Sequence, residues 1–190
     1  MKLLDSTGKS YGAKVGSDNR VAVESVQKTE QLNAALSGES YQIGSGPISL
    51  TSAGESAVIF FKNLEDRDII ISAINISSTA MTGSSATVFL AKAYLGGTAL
   101  SAGTAVVPLN NNFGSSKILL GTTEAGGEAQ TVTNGTASGA FYIPASTFFH
   151  SETAWVIPKG VSVALSITPG ASNTAMVATV TLEGHLASDS

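Results

Sequence analysis

From Ser56 onward the chain is a succession of short runs in which apolar and small polar residues alternate, separated by Gly-, Ser- and Pro-rich spacers. No stretch after residue 40 carries helical periodicity of useful length. A parallel sheet needs helices on both faces, so an α/β architecture is disfavoured. About eight such runs, with turn signals between them, predict an all-β chain in which two antiparallel sheets face each other: a β-sandwich, jelly-roll-like in its spacing. The runs are "AVIFF", "DIIISAINIS", "ATVFLAKAYL", "AVVPLNN", "KILLG", "QTVTNGTASGAFYI", "SVALSIT" and "MVATVTL". In "DIIISAINIS", simple alternation places Ile70, Ile74 and Ile76 on one face and Ile69, Ile71 and Ala73 on the other. "LEDRD", Leu64 to Asp68, is expected to be the polar loop of a hairpin. Asn134-Gly135 is a type I′ hairpin signal, and Pro169-Gly170 is the turn between the last two strands.

The first 50 residues are different. They contain one helix candidate, "TEQLNAAL", with Thr29 as N-cap, Glu30 in the first turn and Gly38 just past the end. The rest is punctuated by Gly and Pro, so residues 1–50 are expected to be an N-terminal arm with a short helix, and residues 51–190 the sandwich domain.

Charge narrows the function classes. Only 13% of residues are charged, against about 25% in an ordinary soluble domain, which is the composition of a surface partly covered by neighbours. The net charge of −4 argues against nucleic-acid binding, which needs a basic face to neutralise phosphates. In residues 1–28, Lys2, Lys9, Lys14, Arg20 and Lys28 face only Asp5, Asp18 and Glu24. Five cations against three anions leave +2 there and −6 on the remainder of the −4 total. A solvated tail and an arm that docks on an acidic neighbour both fit that distribution. There is no cysteine, hence no disulfide, thiolate nucleophile or cysteine zinc site. The opening lacks the apolar run of a secretory signal, and no stretch is long enough to span a membrane, so a protein made in a cytoplasm is expected.

Chemistry-bearing motifs are sparse. "STGKS" ends like a phosphate-binding loop, but the glycine that motif requires falls at Leu3. His150 and His185 are the two candidate general bases, and a hydrolase would need one of them beside a serine and an orienting acid. Glu65, Asp66 and Asp68 raise the question of a cation, weakened by Arg67 in their midst. Trp155, Tyr94, Tyr142, Phe148 and Phe149 are the aromatics available to stack on a sugar ring. No catalytic residue, cofactor or metal is expected.

Taken together, "AKVGSDNRVAVESV", "GESYQIGSG", "VIFFKNLEDRDIIISAINIS", "PLNNNFGSS" and "WVIPKGVSVALSITPGASNT" resemble, in order and spacing, the small jelly-roll virion proteins of tailed bacteriophages. In those proteins an extended N-terminal segment precedes the sandwich, and the last hairpin carries turns like Pro158-Lys159-Gly160 and Thr168-Pro169 here. The resemblance implies a non-enzymatic decoration or cement protein on the exterior of the head, often a homotrimer, that bridges subunits of the major capsid protein. The net charge and the lack of a long apolar stretch leave neither nucleic acid nor a membrane as an expected partner. Under that reading Lys9, Lys14, Arg20 and Lys28 are the expected capsid or subunit contacts. The rival expectations are a receptor- or carbohydrate-binding module of a phage tail or head fibre, working through "NNNFGSS" and "STFFHSE", and a hydrolase built on a sandwich.

Overall fold

The computed structural model describes residues 29–188 and, in backbone only, the short strands Lys2–Leu4 and Ser10–Gly12, which pair with each other. Lys9, Lys14, Arg20 and Lys28, the expected contact residues, lie outside the described residues. Helix α1 spans Glu30–Ser37 with the caps expected of it. The Thr29 hydroxyl accepts the Leu32 N–H at 3.2 Å, and Gly38, left-handed at φ 72°, turns its N–H back on Ala34 and Ala35.

Eight principal strands follow: β1 Ser40–Gly44, β2 Ser56–Asn63, β3 Ile69–Ser78, β4 Val88–Leu95, β5 Thr136–Pro144, β6 Phe148–Ile157, β7 Ser162–Thr168 and β8 Met176–Leu186. One sheet runs β1-β8-β3-β6 and the other β5-β4-β7-β2, every pairing antiparallel. This is jelly-roll order, so the all-β sandwich expectation holds. Its consequence is that consecutive strands mostly lie in opposite sheets. "LEDRD" therefore closes no hairpin; it carries the chain from β2 in one sheet to β3 in the other, and the Pro169-Gly170 turn does the same between β7 and β8. Asn134 is left-handed at φ 58°, but Gly135 is not, and Val132–Thr133 pairs with Ala99–Leu100 rather than with β5. The type I′ hairpin expected there is a single left-handed step.

Strand phase is set by bulges. Opposite Glu183 and Gly184 of β8, strand β3 carries Ser72 as an extra residue, so the inward set is Ile69 and Ile71 before the bulge and Ile74 and Ile76 after it. Ile70 turns outward and is half-buried, correcting the face assigned by unbroken alternation. Val58 is the extra residue of β2 against β7, and both Val58 and Ile59 reach the main core. That core lies between the sheets, around Phe61, Ile76, Phe89, Leu165 and Leu182, each essentially without exposed surface. Burying one side chain of this size stabilises by about 1.5–3 kcal/mol.

β2 and β7 are buried on both faces because a ribbon of Ala99–Leu100 and Val132–Thr133 lies over the outer side of their sheet. Leu100 meets Phe60, Ala57 and Ala164 there in a second, smaller cluster. The close approach needs Gly126, where an added Cβ would sit 1.9 Å from the Ala57 carbonyl oxygen.

The sheet begins at Ser40, so the boundary expected at residue 50 falls inside the sandwich. β1 pairs with β8, and after a break at residues 45–47 Ile48–Leu50 resumes pairing with the same strand. Gly44-Ser45-Gly46-Pro47, which reads as a loop in sequence, is an interruption within one ladder. The Ser45 hydroxyl bridges it by accepting the Val180 N–H. Ile43, Ile48 and Leu50 all reach the core.

Candidate functional site

The two lateral flanks of the sandwich differ from its polar loops. One flank is closed by the excursion from Thr104 to Gly121, which leaves the edge of the second sheet, adds Leu109–Asn110 to β1 in the first, and returns to the second as Gly121–Ala125. The expected strands "AVVPLNN" and "KILLG" are largely irregular here, with the two-residue Leu109–Asn110 ladder inside the first and only Ala105 and Gly121 at their ends in other ladders. Val106 and Leu119 point inward and join the main core. Their neighbours in the extended chain therefore point out. Val107, Leu109, Ile118 and Leu120 share the outer surface with Phe113 at the loop tip and Leu36 of α1, all between 51% and 85% exposed.

Asparagines hold this excursion in place. Asn110 Nδ2 donates to the carbonyls of Gly38 and Lys117 at 2.9 Å, tying the outgoing arm to the returning arm and to the helix end. Asn112 Nδ2 donates to Leu36 O at 3.1 Å, and Asn111 Nδ2 to the Ser40 hydroxyl at 2.8 Å. The "NNN" that looked available for ligands is thus spent on bracing. Glu65 Oε1 accepts the Leu120 N–H at 2.6 Å, and Lys117 meets Glu39 at 2.7 Å. Hydrogen bonds from Lys117 and Arg67 hold the Glu39 carboxyl below the usual carboxylate range.

The opposite flank consists of β5 and β6, the edge strands of the two sheets, joined by the turn at residues 145–147. Tyr142 and Phe148 are exposed on it, and the rings of Phe141 and Phe149 pack in a tilted arrangement, 50° between planes, with centroids 6.1 Å apart. Each strand carries a bulge, at Ser138 in β5 and between Glu152 and Trp155 in β6. Between the bulges lies an open cleft of about 340 Å³ lined by Leu95, Ser138, Gly139, Trp155, Val156 and Ile157. The Ser138 hydroxyl donates to Ala93 O at 3.3 Å. The cleft wall is mostly apolar, with the Trp155 indole N–H and the β5 backbone edge as its polar groups.

A third feature was not legible in sequence. Glu55 lies on the outer side of the second sheet, where Lys92 Nζ and the Ser166 hydroxyl reach its carboxylate at 2.6 Å and the Tyr94 hydroxyl also donates to it. Burial alone would raise its pKa, but the hydrogen bonds from Lys92, Ser166 and Tyr94 outweigh that and hold it below the usual range. Glu55, Tyr94 and Ser166, with Thr131 and Val132, line a cavity of about 200 Å³. Every oxygen of the carboxylate is engaged, and the network anchors the strand β4–β7 pair rather than presenting a reactive group.

The remaining candidates are dispersed. His150 Nδ1 lies 2.7 Å from Asn75 Oδ1 on exposed β6. His185, on β8 beneath α1, is buried, and its Nδ1 has no hydrogen-bond partner. Burial lowers its pKa, with Glu30 acting in the opposite direction. Asp66 pairs with Lys159, while Glu65 is spent on Leu120. Among the described residues no group of three or more His, Asp or Glu side chains is placed to hold a metal ion, and no helix is long and apolar enough to cross a membrane. No protein-family model matches the chain, and no curated protein matches it.

Proposed function

We propose that the protein is a non-enzymatic structural component of a tailed-bacteriophage virion, a decoration or cement protein that binds the exterior of the head and bridges subunits of the major capsid protein, itself assembled as a homotrimer. The observation that carries this reading is the flank built from the Thr104–Gly121 excursion. Its inward residues complete the core, while its outward residues are large, apolar and braced by side-chain hydrogen bonds. An apolar surface held this firmly is suited to burial against another protein. The low overall charge and the jelly-roll architecture, which capsid and lectin domains share, support the same reading. The basic residues Lys9, Lys14, Arg20 and Lys28 supply an arm of the sign an acidic shell attracts. The test is co-sedimentation with emptied, expanded heads of the phage of origin: saturable binding that raises the heads' thermal stability is the expected result, and absence of binding removes the reading.

A carbohydrate- or receptor-binding module on a phage fibre is the second reading, favoured by the half-buried Trp155 in the open cleft and by Tyr142 on the same flank. A glycan array separates the two. Glycan binding that Tyr142→Ala and Trp155→Ala abolish in a folded protein favours the fibre module; indifference to glycans favours the cement protein.

A further inference from the structure

We propose that copies of this chain join head to tail, the flank carrying Phe113 on one copy seating in the cleft between β5 and β6 of the next. The proposal rests on the self-association part of the reading above and names its two faces. The flanks lie on opposite sides of the sandwich, because Leu109–Asn110 and Thr104–Ala105 edge the two sheets on one side while β6 and β5 edge them on the other. They are also complementary in shape. Phe113, 85% exposed at the tip of a braced loop, is a knob, and the cleft beside Trp155 and Gly139 is an apolar hollow of about 340 Å³, ample for one aromatic side chain. Two knobs facing each other across a two-fold axis would not interlock, so the joint is heterologous, and a heterologous joint whose rotation closes produces a ring.

The areas agree. With roughly 150–200 Å² for a fully exposed side chain of this size, the six outward residues of the loop flank present about 700 Å² of apolar surface, near the roughly 800 Å² each partner buries in a standard interface. On the opposite flank Leu95 and Val156 of the cleft wall are 43% and 53% exposed, and Tyr142 and Val88 on the outer face of the second sheet and Phe148 on that of the first add exposed apolar surface on either side of the flank. Strand β5 adds a free backbone edge with no charged side chain along it, so the barrier to association that edge lysines provide is missing.

The experiment measures native mass by light scattering and sedimentation on the full chain, with no shell present, so its outcome is independent of capsid binding. Phe113→Asp damages the knob. Gly139→Leu fills the hollow, since an added Cβ there meets nothing within 4 Å and the backbone is not left-handed. Val156→Asp, on the cleft wall and 53% exposed, is the second hollow-side variant should Gly139→Leu fail to fold. The wild type is expected at a mass of three copies or more, each variant at least tenfold weaker in association with unchanged circular dichroism. Mixing a knob variant with a hollow variant is expected to yield a two-copy species through the one undamaged joint. A wild type of one or two copies, a folded variant that keeps the wild-type mass, or a mixture that stays monomeric would overturn the proposal.

Discussion

Asn63 has no exposed surface, yet its side chain ties the 64–68 connection to the end of β6. Its Nδ2 donates to Arg67 O at 2.9 Å and to Ile157 O at 2.8 Å, and its Oδ1 accepts the Glu65 N–H at 2.8 Å. Replacing it by leucine keeps the volume and strands buried backbone groups, each costing about 1–3 kcal/mol when unpaired. We expect Asn63→Leu to lose about 2–4 kcal/mol, a fall in Tm of about 5–15 °C at this chain length, read by thermal denaturation. His185 gives a different kind of expectation. Its pKa is depressed in the folded state, so the unfolded chain, at about 6.5, binds the proton more readily. Stability is then full above pH 6.5 and declines as pH falls from there through the folded value, where His185 finally charges beneath α1 near Glu30. Denaturation midpoints should drop between pH 7 and 5.5 in the wild type and stay level in His185→Gln. A separate loss below about pH 4.5, where the depressed carboxyls of Glu39 and Glu55 titrate, should persist in both.

At the scale of elements, Gly38 joins two parts of the molecule. It ends α1 in the left-handed conformation, and an added Cβ would lie 2.2 Å from the Ser115 hydroxyl, in the loop that carries Phe113. Gly160 has a similar backbone, φ 81° in the turn after Pro158, but open space around it. Gly160→Ala therefore isolates the conformational cost, about 1–3 kcal/mol. Gly38→Ala should cost more than Gly160→Ala in chemical denaturation, and it alone should displace the loop, detected as altered proteolysis near Phe113. The helix and its caps were legible because Thr29 and Gly38 act locally. So was the strand character of β2, β3, β7 and β8. Partnership was not: neighbouring strands read as hairpins, whereas jelly-roll connections send them to opposite sheets, a choice made by the packing of distant residues. Bulges at Val58 and Ser72 shifted the inward phase without any glycine or proline to announce them. The apolar flank escaped notice for a related reason: Val107 and Ile118 look like core in sequence, and only the inward placement of Val106 and Leu119 shows that they face out. The Glu55 network joins residues as far apart as 111 positions, beyond the reach of any local pattern.

For the molecule as a whole, two modes of attachment predict different responses to salt. The loop flank and the cleft are apolar, so contacts through them persist as ionic strength rises. An arm carrying +2 against a body of −6 attracts an acidic partner by charge, and that attraction is screened over about 10 Å at 0.1 M salt and 3 Å at 1 M. A chain beginning at Thr29 keeps the N-cap of α1 and every strand of the sandwich, since Lys2–Leu4 and Ser10–Gly12 form their own two-stranded sheet. Its Tm and its native mass should equal those of the full chain. Binding to expanded heads should separate them: the full chain is expected to lose at least tenfold in affinity between 0.1 M and 1 M salt, while the shortened chain binds more weakly at 0.1 M and hardly responds. Equal affinities at 0.1 M would assign attachment to the apolar flanks alone. A shortened chain with lower mass would instead place the arm in the joint between copies, because removing charge from a free tail leaves an apolar joint unchanged.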